Sequence, residues 1–230
     1  GGPTVDSDLV EARCQYRAGY RFFKIKVGAK PLAGSIAVVN ALRRTFGSKI
    51  IVCADANMGL SPRAASEFLR GVASARLLYL EQPFGKEKIK AMARLSRSTR
   101  IALGIDESVG GVSEIVSHYS ANAAKGAAIK TITMGSLFAT VAAAKVANAL
   151  GMGVNISAKI AESSVGAAAL LHVASVIDDA VWGVSPTNCY LAQDIVRTPI
   201  TPKRGKLTVP TGGGLGVEVN FAAVNRFRIR

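Results

Sequence analysis

The fold is indicated most directly by residues 21–55, which read RFFKIKVGAKPLAGSIAVVNALRRTFGSKIIVCAD. Two short apolar runs, 21–27 and 49–55, enclose a stretch in which apolar residues recur at helical spacing over 35–46. Runs of this length and composition predict β-strands, and Gly28 ends the first of them. A strand, a helix and a second strand in this order predict a βαβ unit with parallel strands.

The same alternation continues along the chain. Further strands are predicted at 77–81, 100–106, 127–130, 153–157 and 180–184, and helices at 61–74 and 137–150. From Lys26 onward, successive strand ends follow after 29, 26, 25 and 24 residues. Such a period is typical of the βα units of a barrel. An open, doubly wound sheet is the rival fold, but no glycine-rich phosphate-binding sequence follows the first strand.

The two ends of the chain depart from this period. Residues 4–19 predict a helix that leads into the first visible strand, so the expected fold is an α/β, (β/α)7β TIM-like barrel. That barrel is expected to be incomplete at the N-terminus, without strand one. Residues 1–195 are assigned to the barrel. Residues 196–230 are assigned to an extended segment that packs on the barrel or on a separate domain that caps it.

Composition limits the classes of protein that remain. Of the 230 residues, 49% are apolar and 19% charged, which excludes an intrinsically disordered chain. Neither an apolar run long enough for a membrane span nor a signal-peptide pattern is present. Three scattered cysteines argue against a disulfide framework and favour a reducing cytoplasm. The 29 basic and 15 acidic residues give a net charge of +14, which raises nucleic acid as a partner.

Acidic residues end three consecutive predicted strands: Asp55, Glu81 and Asp106. The carboxyl ends of barrel strands form the face where active sites lie. Three carboxylates that converge there repel one another unless a cation neutralises them, and an all-oxygen ligand set favours Mg²⁺, with Mn²⁺ as the alternative. A cap on the following helix explains Asp55 or Asp106 singly, but does not explain all three in a chain with few acids.

Three lysines are placed to act beside these carboxylates. Lys24 and Lys26 alternate with apolar residues and are expected to face the barrel interior together, while Lys130 ends a later strand across the mouth. Burial and mutual repulsion are expected to lower the pKa of at least one of the first two. A lysine with a lowered pKa can act as a base near neutral pH.

At this point the sequence resembles the enolase superfamily, and within it the muconate-lactonizing-enzyme (mandelate racemase) subgroup. The ordered motifs that carry the resemblance are Lys24-Ile25-Lys26, Asp55-Ala56-Asn57, Glu81-Gln82-Pro83, Asp106-Glu107-Ser108, Lys130 and Gly214-Leu215-Gly216. The resemblance implies Mg²⁺ held by Asp55, Glu81 and Asp106 and chelated by a small-molecule carboxylate substrate. It also implies that Lys26 and Lys130 act on opposite faces of the α-carbon through an enediolate, with Lys24 keeping Lys26 partly neutral.

Further residues are expected to support this machinery or to touch the substrate: Asn57, Glu107, Ser157 and Glu162. Glu107 is expected to pair with a lysine. Glu162 is expected to begin the helix after strand 153–157, where it either lies near the substrate, as the resemblance implies, or is simply an acid favoured by the helix dipole. Two features depart from relatives that lactonize muconate. Ser185 stands where they carry a glutamate, and the loop 131–136 lacks their lysine and glycine pair.

These observations support several hypotheses about function. A Mg²⁺-dependent racemase or epimerase of an amino-acid derivative or hydroxy acid is preferred, because a lysine lies on each face and Ser185 replaces the glutamate. A muconate-type cycloisomerase or a carboxylate dehydratase uses the same residues. A basic nucleic-acid-binding module is the alternative of another class. Family members also carry an N-terminal capping domain, so a missing domain or partner chain is expected, as is a homo-oligomer.

Overall fold

The computed structural model describes residues 2, 4–28 and 30–229. The strands are β1 (Phe22–Lys26), β2 (Ile51–Asp55), β3 (Tyr79–Glu81), β4 (Ala102–Ile105), β5 (Gly126–Lys130), β6 (Gly153–Ser157) and β7 (Val184–Ser185). The helices are α1 (Val5–Arg17), α2 (Leu32–Phe46), α3 (Pro62–Gly71), α4 (Ile89–Arg97), α5 (Val112–Ser120), α6 (Thr131–Met134), α7 (Leu137–Ala149), α8 (Ser164–Ala174) and α9 (Phe221–Phe227).

The seven strands form one parallel sheet in the order in which they occur along the chain. Helices follow the first six strands, as crossover connections between parallel strands require. The expected incomplete α/β barrel of seven strands is confirmed. Because the strands run parallel and in register, their carboxyl ends all open on one face.

Local sequence explains where several helices begin. Thr4 accepts a hydrogen bond from the backbone of Ser7 in a capping box at the start of α1. Ser61 caps α3, whose first residue is Pro62, and Ser136 caps α7. These N-caps satisfy backbone N–H groups that have no partner within the helix.

Two layers of side chains pack on the sheet. On the outer side, fully buried residues such as Leu42, Phe68, Leu80 and Ile156 pack between strands and helices. Inside the barrel, Trp182 stacks on Tyr79 with ring centroids 3.9 Å apart. This aromatic pair fills the barrel interior on the side away from the carboxyl ends of the strands.

Some predicted elements differ in their limits. The last strand is 184–185 rather than 180–184, because Trp182 lies in a turn and Gly183 is not in the strand that follows it. Asp106 was expected to end β4, but β4 ends at Ile105 because the N–H of Asp106 donates to the side chain of Gln82. Glu162 was expected to begin α8, which instead starts at Ser164.

The segment after residue 195 makes two of its contacts with α8. The backbone N–H of Ile200 donates to the hydroxyl of Ser164. His172 Nε2 is hydrogen-bonded to the carbonyl oxygen of Leu215. Val196 and Val219 pair in an antiparallel bridge within the segment. The division into 1–195 and 196–230 stays a prediction.

Among the residues described, no helix combines the length and the apolar character that crossing a membrane requires.

Candidate active site

The sheet itself brings the three predicted carboxylates together. Asp55 lies beside Glu81 in the register of β2 and β3, and Asp106 directly follows β4, which pairs with β3. Carboxylate oxygens of these three residues lie within 4.8 Å of one another. All three side chains are buried, with residue exposures of 2%, 1% and 6% in the same order.

Such close packing of acids is unfavourable unless nearby positive charge offsets it. Burial raises the pKa of Glu81 to about 7, opposed by the neighbouring ammonium group of Lys24 and reinforced by the charge of Asp55. Oxygen ligands from three carboxylates suit a hard divalent cation such as Mg²⁺ or Mn²⁺. The donor set and its crowding therefore fit the metal site predicted from the sequence.

The lysines of β1 face the interior together, as alternation predicts. Lys24 Nζ lies 2.8 Å from Glu81 Oε2, and Lys26 Nζ lies 2.5 Å from Asp55 Oδ2. The expectation of a lowered lysine pKa is wrong for Lys24. Burial by itself lowers the pKa of Lys24, but the surrounding negative groups, led by Glu81, outweigh that effect and raise it.

Lys130 occupies the other end of the carboxylate arc. Its Nζ lies 2.6 Å from a carboxylate oxygen of Asp106, and its side chain is 20% exposed. The side chain of Lys26, at the opposite end, is 58% exposed. The two lysines thus flank the arc of carboxylates, and both reach solvent at the mouth.

Asn57 and Glu107 form a bridge at this rim. Asn57 Oδ1 accepts from Lys26 at 2.7 Å, while Asn57 Nδ2 donates to Glu107 Oε1 at 2.9 Å. The expected pairing of Glu107 with a lysine is therefore wrong, since Asn57 stands between them. Glu107 Oε2 is buried and has no hydrogen-bond partner among the described residues.

The two remaining predicted residues lie on the far side of the barrel. Ser157 ends β6, in register with Lys130 and Ser185, and its buried hydroxyl lacks a hydrogen-bond partner in the described part of the chain. Glu162 lines a cavity of about 520 Å³ with Thr131, Ile132, Gly135, Ser136, Leu137, Ser163 and Gly166. The three carboxylates do not line this cavity.

One residue of the site was overlooked by sequence reasoning. Gln82 follows Glu81, is 1% exposed and has a backbone φ of 36°. Asn57 and Met58, after β2, also have positive φ. Unfavourable backbone geometry of this kind is concentrated at functional sites. A glutamine directly after a strand-ending acid was the available signal, but its partners are distant in sequence.

Comparison with known proteins finds similarity to muconate and chloromuconate cycloisomerases. The chain is 26% identical over 226 residues to a chloromuconate cycloisomerase of Delftia acidovorans, covering 97% of this chain and 60% of that protein. It is 31% identical over 209 residues to muconate cycloisomerase 1-1 of Acinetobacter lwoffii, covering 90% of this chain and 54% of that protein. The chain therefore spans less than two thirds of the length of these relatives.

Solved structures give the same result for the fold. The crystal structure of a muconate cycloisomerase from Pseudomonas fluorescens matches with a TM-score of 0.92 and 24% identity, over 100% of this chain and 64% of that one. The muconate lactonizing enzyme from Pseudomonas putida matches with a TM-score of 0.89 and 26% identity, over 97% and 63%. Residues 8–223 match the family described as enolase C-terminal domain-like, and the chain belongs to that family.

Proposed function

We propose that the protein to which this chain belongs is an isomerase of the muconate cycloisomerase type, which moves a proton at the carbon α to a carboxylate. The observation that carries the proposal is the arrangement at the barrel mouth. Three buried carboxylates lie within 4.8 Å of one another, and Lys26 and Lys130 contact the two ends of the arc. The relatives named as muconate and chloromuconate cycloisomerases support the same reaction class.

The residues of the arc have separate roles in this proposal. Asp55, Glu81 and Asp106 would hold a divalent cation, which supplies charge stabilisation when the substrate carboxylate becomes more negative. Lys26 or Lys130 transfers the proton at the α-carbon. In ring closure, a carboxylate oxygen adds to a double bond of the diacid, and the carbon α to the other carboxylate takes a proton from the lysine.

Contacts within the chain support these roles for the lysines. Asn57 accepts from Lys26 and is itself held by Glu107, so the ammonium group of Lys26 is oriented at the mouth. Lys24 lies deeper, on Glu81, and balances charge inside the barrel. We therefore assign proton transfer in cycloisomerisation to either Lys26 or Lys130, and charge balance to Lys24.

Racemisation, preferred from the sequence alone, is the second candidate. The relatives favour cycloisomerisation, but two lysines that flank one site also suit removal of a proton on one face and return on the other. Ser185, half-buried at the end of β7 and bonded to Asn155, stands where the resemblance places a glutamate in lactonizing enzymes. Because Ser185 replaces that glutamate, racemisation is retained as the second candidate.

The two candidates make different predictions for the lysine variants. The assay uses cis,cis-muconate or a chloromuconate with Mg²⁺ present. Conversion to the lactone is measured as the loss of diene absorbance. Under cycloisomerisation, either Lys26→Ala or Lys130→Ala abolishes lactone formation while the other variant retains it in part. Under racemisation of an amino-acid derivative, both variants abolish interconversion. Full turnover in both variants with Mg²⁺ bound would contradict both candidates.

A further inference from the structure

Gln82 is a buried residue in contact with the segments that carry all three carboxylates. It follows Glu81 at the end of β3, and its backbone is left-handed. A left-handed backbone is unfavourable for a residue with a side chain and persists only where the surroundings hold it in place. Those surroundings are hydrogen bonds to the segments that follow β2 and β4.

The side-chain amide of Gln82 uses its complete hydrogen-bonding capacity. Its Oε1 accepts from the backbone N–H groups of Asp106, at 2.9 Å, and Ser108, at 3.1 Å. Its Nε2 donates to the carbonyl of Phe84, at 2.8 Å, and to the hydroxyl of Ser108, also at 2.8 Å. A primary amide offers two donor hydrogens and two acceptor lone pairs, so all four are occupied.

The backbone of Gln82 reaches the remaining carboxylate segment. Its carbonyl accepts from the N–H of Met58, three residues after Asp55, at 2.7 Å. Its own N–H donates to the carbonyl of Gly104 in β4 at 2.8 Å. One residue therefore adjoins Glu81 covalently and is hydrogen-bonded to the segments that begin at Asp55 and at Asp106.

We propose that Gln82 is a positioning residue that fixes the mutual placement of the three carboxylates and thereby the affinity of the site for a divalent cation. The inference rests on the proposed function, because it takes these carboxylates as cation ligands. Only an uncharged side chain with both donors and an acceptor can satisfy these partners. An apolar side chain leaves two buried N–H groups and a carbonyl without partners, and a carboxylate removes the donors.

The inference is tested with Gln82→Met, which keeps the shape of the side chain and removes its four hydrogen bonds. Two quantities are measured on the 230-residue chain: Mg²⁺ affinity by calorimetry, and amide hydrogen exchange by NMR without added metal. Gln82→Met is expected to weaken Mg²⁺ binding by at least about tenfold, the usual cost of losing a group that orients metal ligands. It is also expected to accelerate exchange at the amides of Asp106 and Ser108.

Two further variants separate placement of the carboxylates from general loss of stability. Gln82→Glu keeps an acceptor oxygen, so exchange at Asp106 should stay close to that of the unsubstituted chain. Asn188→Leu is the matched control, because Asn188 is 8% exposed and donates two hydrogen bonds, to Ser164 and Ile200, outside the site. It should lower the unfolding temperature and leave Mg²⁺ affinity unchanged.

The outcomes distinguish failure of the role inferred for Gln82 from failure of the proposed function. Unchanged Mg²⁺ affinity in a folded Gln82→Met chain would overturn the inference. If that variant does not fold, Ser108→Ala, which removes one of the four side-chain bonds, should still weaken Mg²⁺ binding, and unchanged affinity would overturn the inference. Failure of the unsubstituted chain to bind Mg²⁺ would contradict the proposed function instead. In that case the inference about Gln82 is tested by hydrogen exchange alone. Unaltered exchange at the amides of Asp106 and Ser108 in Gln82→Met would overturn it.

Discussion

Glu81 is the residue at which burial and charge compete most directly. It is 1% exposed, forms a salt bridge with Lys24, and lies close to the carboxylates of Asp55 and Asp106. Removal from water disfavours its ionised form more than Lys24 favours it, so its pKa is raised to about 7. The protonation of one buried side chain therefore links the stability of the metal-free fold to pH.

The first prediction concerns this linkage. Because the pKa of Glu81 is about 7 in the folded chain against 4.5 in its ordinary state, the folded chain binds more protons between these values. The contribution of Glu81 to stability is present below pH 4.5 and declines as pH rises towards 7, by at most about 1.4 kcal/mol per pH unit. Urea unfolding in EDTA at several pH values measures it.

A matched pair of variants isolates the effect. Glu81→Gln should remove this part of the pH dependence, whereas Glu67→Gln, at an exposed position of α3, should retain it. Identical pH profiles for the chain and for Glu81→Gln would show that Glu81 titrates normally.

The three cysteines differ in their exposure to solvent. Cys53 is fully buried in β2, and burial raises the pKa of its thiol to about 12, whereas Cys14 and Cys189 are exposed. The thiolate is the reactive form, so the native chain should be alkylated at two positions only. Mass spectrometry after brief iodoacetamide treatment, with a urea-unfolded sample as control, checks this. Native labelling of Cys53 at the rate of Cys14 would contradict its placement.

At the scale of elements, the barrel interior depends on small residues from three strands. A Cβ added to Gly104, Gly126 or Gly153 would lie 2.6, 2.4 or 2.2 Å from the nearest atom of Trp182. These glycines provide the space into which the indole fits against Tyr79. The aromatic pair thus depends on the absence of side chains on neighbouring strands.

Two glycine variants test this packing. Gly126→Ala should destabilise the chain by about 1–3 kcal/mol, the usual cost of overpacking, because its Cβ would also lie 2.5 Å from the carbonyl of Gly153. Gly34→Ala in α2 should instead stabilise by about 0.5–1 kcal/mol, because outside the helix backbone and among the described residues its Cβ would have only the Lys30 side chain within 4 Å. Thermal unfolding compares the two. A neutral Gly126→Ala would mean that Trp182 does not fill this space.

Sequence reasoning succeeded where a feature is local or periodic. The apolar runs gave all seven strands, and the rule that barrel sites lie at carboxyl ends brought Asp55, Glu81 and Asp106 together. It failed where partners are distant. The Trp182 site needs three glycines from separate strands, and Gln82 reaches Asp106 across 24 residues. The limits of β7 were also missed, because two paired residues leave almost no pattern.

At the scale of the whole molecule, charge is distributed unevenly between the site and the surface. Each of the three carboxylates at the mouth is paired with a lysine, so their formal charges cancel, and the formal surplus of +14 lies elsewhere. A bound divalent cation would make the mouth positive, which is consistent with the anionic substrate of the proposed function. Homo-oligomer formation stays a prediction from the sequence, and a basic nucleic-acid-binding module stays the untested alternative of another class.

The central claim is that the carboxyl ends of β2, β3 and β4 form one divalent cation site. Titration of Mg²⁺ into the 230-residue chain at pH 8, followed by calorimetry, tests it most directly. The account predicts one cation per chain and loss of binding in Asp106→Asn, with Glu114→Gln, in α5, as the control that retains it. Absence of binding at millimolar Mg²⁺, or equal affinity in Asp106→Asn, would contradict the account.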